Sequence, residues 1–168
     1  MFDGVSGEPL DGSVGEGFDE YLFYLITQVN SRRIREFTPA LDALGLSLSH
    51  WRVLSTVNRL DGCLMSELAE FTTVDRTTLT RTVDQLVDRG LVERQASPTD
   101  RRLVRVARSD AGRLVFSQAI DALVAFNSQT LNGFSAEELG VLRGLLQRVL
   151  RNLVADDRLF RQLLEFRR

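Results

Sequence analysis

Mainly α-helical with a small β-wing is the fold class this 168-residue chain predicts: a winged helix-turn-helix with further helices at its N- and C-terminal ends. Three observations predict it. Residues 64–90 carry two short helical patterns separated by a threonine pair. Residues 91–107 carry two short β-rich runs around a turn-forming segment. Long helical patterns with broad apolar stripes flank this unit on both sides, and such stripes must be covered.

Met1–Gly17 is rich in glycine, serine and acids and reads as a disordered tail. Phe18–Phe37 reads as the first long helix, with Phe18, Tyr21, Leu22, Leu25, Ile26 and Val29 on one stripe and Pro39 just past its end. Residues 18–48 therefore make an N-terminal dimerisation helix and a connection. Ser49 can cap a helix through Arg59 whose inward face is Trp51, Val53, Leu54 and Val57. Asp61-Gly62 is a turn, and Cys63-Leu64-Met65 can add a third strand to the wing. Ser66 is a candidate cap for the short helix bearing Leu68, Ala69 and Phe71.

Thr72-Thr73 interrupts that helix, and Thr73 or Asp75 can cap the next. Its inward stripe is Leu79, Val83, Leu86 and Val87, and Gly90 supplies the left-handed residue that ends it. Leu91–Gln95 and Leu103–Ala107 have strand character, with Arg105 alternating outward between Val104 and Val106. The unit thus spans 49–108. From Ser109 a helix runs to about Asn127, and Ser135-Ala-Glu-Glu138 is a capping box opening a leucine-rich helix. The tail Asp156–Arg168 retains enough apolar residues for one more helical segment. Residues 109–168 and the first helix hold more apolar surface than a winged unit can cover. Burying one Leu or Phe is worth about 1.5–3 kcal/mol, so pairing of two copies by a two-fold axis is expected.

The net charge of −2 argues against indiscriminate coating of nucleic acid, but it hides an asymmetry. Residues 1–20 hold six carboxylates and no basic residue, so the remainder is at +4. Residues 76–108 hold eight arginines against four acids. The local field decides what is attracted. All 21 basic residues are arginine, a uniformity that points to genome composition. No apolar run of about 18 residues exists, no signal-peptide pattern opens the chain, and a single cysteine excludes a disulfide framework. A cytoplasmic location without membrane contact is expected.

The second short helix opens with Arg76, Thr77, Thr78, Thr80 and Arg81 turned away from its apolar stripe. Guanidinium and hydroxyl groups at a helix start donate to base edges and phosphates, and the helix dipole adds to the attraction. Double-stranded DNA is the expected partner. Arg76, Thr77 and Thr78 are assigned to base edges; Thr73, Thr80 and Arg81 to phosphates. Arg101 and Arg102 lie in the turn of the hairpin, a tip narrow enough for one of them to enter a minor groove. Asp100 is assigned to orienting a neighbouring arginine, since a carboxylate at a DNA surface is otherwise repulsive. Solvation of a helix and a loop is the plainer reading of the same arginines. The chain lacks a phosphate-binding glycine loop, a nucleophile motif and a paired histidine, so an enzyme is not expected. A winged-helix protein-interaction module is the more serious rival, but it would not need the exposed arginines and threonines of 76–81.

Four pieces in order resemble the MarR family of winged helix-turn-helix transcriptional regulators. They are Leu46-Ser-Leu-Ser-His-Trp-Arg-Val-Leu54, Ser66-Glu-Leu-Ala69, Asp75-Arg-Thr-Thr-Leu-Thr-Arg81 with Gly90-Leu91-Val92, and Pro98-Thr-Asp-Arg-Arg102 followed by Ser109-Asp-Ala-Gly112. The resemblance runs over roughly residues 18–155. The sequence departs from the family where Thr99 precedes a single acid, Asp100, and where His50 replaces a frequent glutamine. The resemblance implies a homodimer that represses genes and releases DNA when a small aromatic or phenolic effector binds between dimer helices and winged domain. His50, Trp51, Arg52 and Arg113 are conceivable lining residues, each with a structural role as its alternative. His50 could also titrate near neutrality. Some related regulators sense peroxide through a cysteine in the first helix. Cys63 lies elsewhere and has no second cysteine beside it, which favours a packed thiol over a sensor. No cofactor is expected, and one His with one Cys cannot supply a usual metal ligand set.

Overall fold

A computed structural model of the chain describes residues 16–96 and 103–165, with side chains from residue 21 onward. Its elements are helices α1 (Glu16–Ala43) and α2 (Leu48–Arg59), strand β1 (Cys63–Leu64), helices α3 (Met65–Thr72) and α4 (Arg76–Asp88), strands β2 (Val92–Ala96) and β3 (Val104–Arg108), and helices α5 (Asp110–Thr130), α6 (Ala136–Leu153) and α7 (Asp157–Glu165). The expected class, helical with a small β-wing, is what forms. The chain divides into two compact units, up to Glu36 and from Phe37 onward.

Helix α1 runs past its expected end and carries Pro39 inside it. The proline nitrogen cannot donate to the Arg35 carbonyl, but its fixed φ still suits helical backbone. The helix stops where Gly45 takes a φ of +66°. There Gly45 N–H reaches the Asp42 carbonyl and Leu46 N–H the Leu41 carbonyl, each at 2.9 Å. Those two bonds close a Schellman end.

The cap of α2 is Ser47, two residues earlier than expected. Its hydroxyl accepts from His50 N–H at 3.1 Å, and Ser47 N–H donates to His50 Nδ1 at 3.2 Å. Ser49 therefore sits within the helix. Ser66 is likewise not a cap: α3 begins one residue before it, and the Glu67 carboxylate accepts from Leu64 N–H at 2.7 Å. A carboxylate three residues into a helix can satisfy that free donor without a polar cap.

The three strands form one antiparallel sheet in the order β1-β3-β2, with Cys63 opposite Val106 and Arg94 opposite Val106 on the other side. The core sits between the sheet and helices α2–α4. Leu54, Val57, Leu68, Leu79, Val83, Leu86, Val92 and Val106 are almost fully buried. Phe37, Trp51 and Phe116 extend it: the Trp51 ring stacks on Phe116 at 5.7 Å and meets Phe37 edge-on at 5.9 Å. Of the two β3 valines only Val106 is buried; Val104 lies exposed beyond the core, opposite Ala96. Arg105 is not simply turned outward, because its guanidinium donates to the Gly62 carbonyl at 2.8 Å.

Helix α5 starts where expected, and Ser109 caps it: its hydroxyl accepts from Gly112 N–H and donates to the Gly90 carbonyl. The capping box of Ser135 and Glu138 forms as expected. Helix α7 is capped by Asp156, and the Arg151 guanidinium spans from α6 to Asp157 at 2.5 Å while lying 5.0 Å from the centre of the Phe160 ring. Helix α6 buries none of its residues, and Val141, Leu142, Leu145 and Leu146 stay exposed. In the N-terminal unit Tyr21, Phe23, Tyr24 and Val29 are exposed as well. No described helix is long and apolar enough to cross a membrane.

Candidate nucleic-acid interface

Helix α4 owes its placement to two ends and one stripe. At its start the Asp75 carboxylate accepts from Thr78 N–H at 2.9 Å. That backbone bond, reinforced by the Thr78 hydroxyl, holds the Asp75 carboxyl below the usual carboxylate range. Thr73 does not cap α4; it ends α3, at a φ of +52°. Left-handed backbone is uncommon for a β-branched residue, and the Thr73 hydroxyl is committed to the Thr72 carbonyl at 2.7 Å. At the far end Gly90 has a φ of +67°; Gly90 N–H reaches the Val87 carbonyl and Leu91 N–H the Leu86 carbonyl. Leu79, Thr82, Val83 and Leu86 face the core.

The opposite face is what remains for a partner. Thr73, Arg76, Thr77, Thr78, Thr80 and Arg81 are all exposed. Neither Arg76 nor Arg81 has an ion-pair partner among the described residues. Two uncompensated guanidinium groups thus stand within two turns of a helix N-terminus, where free N–H groups and the dipole already favour anions. The Thr80 hydroxyl donates to the Arg76 carbonyl at 3.0 Å, so a phosphate contact as donor would exchange that bond. Asp100, Arg101 and Arg102 lie outside the described residues. The β2–β3 register runs from Val92 opposite Arg108 to Ala96 opposite Val104.

The two helix-turn-helix helices and the wing on one module raise the question of kinship. A model of the MarR family matches residues 44–103, from the α1–α2 connection to the end of the hairpin turn. The crystal structure of the reduced form of MarR from E. coli is 30% identical, with 77% of this chain and 96% of that one covered and a TM-score of 0.66. The chain belongs to the MarR family. A MarR-family transcriptional regulator from Silicibacter pomeroyi is 28% identical over 84% of this chain and 95% of that one, with a TM-score of 0.75. A mutant MarR from E. coli complexed with operator DNA is 29% identical over 81% and 99%, with a TM-score of 0.69.

In this MarR-family chain the four residues considered for an effector go separate ways. Trp51 is core. His50 caps α2 and reaches α4, with its Nε2 3.0 Å from Gln85 Oε1. Arg52 is half-buried on α2, and its carbonyl accepts from the Thr56 hydroxyl. Arg113 pairs with Asp110 at 3.4 Å on the exposed start of α5. Cys63 is buried, and its thiol is pushed up to about 12 by desolvation first and by the Glu67 charge second, with Arg105 opposing. A thiol held protonated and out of solvent is a poor nucleophile toward peroxide.

Sequence reasoning missed the residues that hold α4 in place. Arg94 of β2 ion-pairs with Asp84 of α4. The Arg89 guanidinium donates to the Gly45 carbonyl at 2.8 Å. Gln85 and Arg89 looked like ordinary surface residues because their partners lie 35 and 44 positions away. Only the opposite signs of Asp84 and Arg94 hinted at a pair.

Proposed function

We propose that the chain is a sequence-specific, DNA-binding transcriptional repressor that acts as a homodimer on a pseudo-palindromic operator and releases it on binding a small aromatic or phenolic effector. The observation that carries this reading is the exposed start of α4, with Arg76 and Arg81 unpaired among the described residues and Thr77, Thr78 and Thr80 beside them. The similarity to the E. coli MarR mutant complexed with operator DNA supports DNA as the partner. Arg76, Thr77 and Thr78 read base edges; Thr73, Thr80 and Arg81 hold phosphates. Arg101 and Arg102 belong to the wing, one of them in the minor groove, with Asp100 orienting a neighbour.

The exposed apolar residues of α1, α5 and α6 support pairing of two copies. Gly140 and Gly144 leave open space on α6 beside exposed Val141 and Leu145. A groove of about 390 Å³ lined by Leu131, Leu142, Leu146, Leu163 and Leu164 adds to the surface that needs cover. Residues 18–48 and 109–168 thus serve assembly and 49–108 serve DNA. A two-fold dimer sets two copies of α4 about 34 Å apart, in successive major grooves, on half-sites roughly 10 bp apart. An effector releases DNA by preferring a dimer whose helices are mis-spaced for that turn.

Binding titrations on DNA from upstream of the chain's own gene and on a scrambled duplex, at several salt concentrations, test the reading. Arg76→Ala is expected to cost about 1–3 kcal/mol on the upstream DNA and to relax sequence preference. Arg102→Ala is expected to weaken both duplexes alike and to make the salt slope shallower by about 1. Unchanged binding in both variants would refute the placement, and no wild-type binding to either duplex would favour a protein-interaction module.

A further inference from the structure

Two groups meet the C-terminal half of helix α4: the Gly45 carbonyl of the α1–α2 connection and the His50 ring at the start of α2. The His50 ring nitrogens are both engaged: Nδ1 accepts from Ser47 N–H at 3.2 Å, which leaves the proton on Nε2, facing Gln85 Oε1 at 3.0 Å. Four residues further along α4, the Arg89 guanidinium donates to the Gly45 carbonyl at 2.8 Å. Positions 85 and 89 share one face of a helix. Gly45 suits its part by its φ of +66°, which a residue with a side chain rarely adopts.

We propose that His50, Gln85 and Arg89 form a clamp that sets the roll of α4, making them positioning residues for sequence reading although none touches the duplex. The inference rests on the DNA-reading role of α4 proposed above. The buried stripe of Leu79, Val83 and Leu86 anchors the helix, but apolar contact is not directional and tolerates a small rotation. Hydrogen bonds are directional and do not. A roll of about 10° moves a side-chain head roughly 5 Å from the axis by about 1 Å. That displacement takes a guanidinium out of bidentate range of a guanine while leaving its attraction to phosphate almost intact. The clamp therefore acts on discrimination between sequences. It also connects the end of α1 to the reading helix, because Gly45 closes α1 and holds Arg89.

The experiment uses the full chain with the upstream DNA and the scrambled duplex as probes. Gln85→Leu and Arg89→Ala are each expected to weaken the upstream DNA by about 3- to 10-fold, the worth of one hydrogen bond, with the scrambled duplex and the salt slope unchanged. His50→Leu should behave like Gln85→Leu. His50→Gln should restore wild-type discrimination, because a glutamine at this capping-box position can accept from Ser47 N–H and donate to Gln85. Thermal melts accompany each variant, and the ratio of the two affinities in the folded protein is the quantity read. Equal weakening of both duplexes with a shallower salt slope would make Arg89 a phosphate contact and overturn the clamp. So would an unchanged ratio in Gln85→Leu, or a His50→Gln variant no better than His50→Leu. Wild-type protein that binds neither duplex would instead remove the DNA-reading role on which the clamp rests.

Discussion

Asp75 and Thr73, two positions apart, divide the work of the turn. Asp75 was one of two candidate caps in the sequence, and the structure selects it because its carboxylate reaches Thr78 N–H while Thr73 is used in ending α3. The choice has a pH consequence. The folded-state Asp75 carboxyl titrates lower than the unfolded one, so its stabilisation is complete above the ordinary carboxylate range and is lost as pH falls through the depressed folded value. Glu138, lowered chiefly by the backbone bond at Ser135, and Asp156, lowered chiefly by that at Leu159, behave in the same direction. Asp75→Asn, which keeps a capping oxygen but no charge, is expected to flatten the acid limb of stability. Asp75→Ala should lower stability across the whole range. Urea unfolding followed by circular dichroism between pH 2 and 7 (about the range in which carboxylates titrate) measures both.

Periodicity located the elements well, and it failed where a local donor or acceptor outweighed the pattern. The stripe Leu79-Val83-Leu86 and the glycine stop at Gly90 could be read directly, since each depends on neighbours within a few residues. The starts of α2 and α3 could not, because Ser47 competed with Ser49 as a cap and Glu67 replaced one. The ties from α4 to Gly45 and His50 are long-range and leave no local trace. Nor does the reason for a glycine at 112, where a Cβ would stand 1.9 Å from the Leu91 carbonyl oxygen. Helix α5 packs its first turn directly onto the backbone that leaves α4. Gly112→Ala is expected to destabilise the protein by about 1–3 kcal/mol through overpacking, read as a lower urea midpoint with an unchanged m-value. Gly140→Ala, which meets open space on α6, serves as the control.

For the molecule as a whole, the balance of apolar surface decides how the chain exists in solution. Tyr21 is 60% exposed, Val141 58% and Leu153 73%, an expensive arrangement for a lone chain. Sedimentation equilibrium is expected to give twice the chain mass of 18.9 kDa. A pair of charges introduced by Val141→Glu and Leu145→Glu should shift that toward the single mass and weaken operator binding by at least about tenfold, since two half-sites are then no longer held together. A single-mass wild type would contradict the paired reading.

The inert thiol of Cys63 has a practical corollary. A spin label or fluorophore will pass over that sealed sulfur and attach only to a cysteine introduced on the surface. Asp88→Cys, on the exposed side of α4, would turn each copy into one end of a molecular ruler. Distances read between the two ends, with and without duplex or small aromatic compounds, would record how far apart the reading elements stand in each condition.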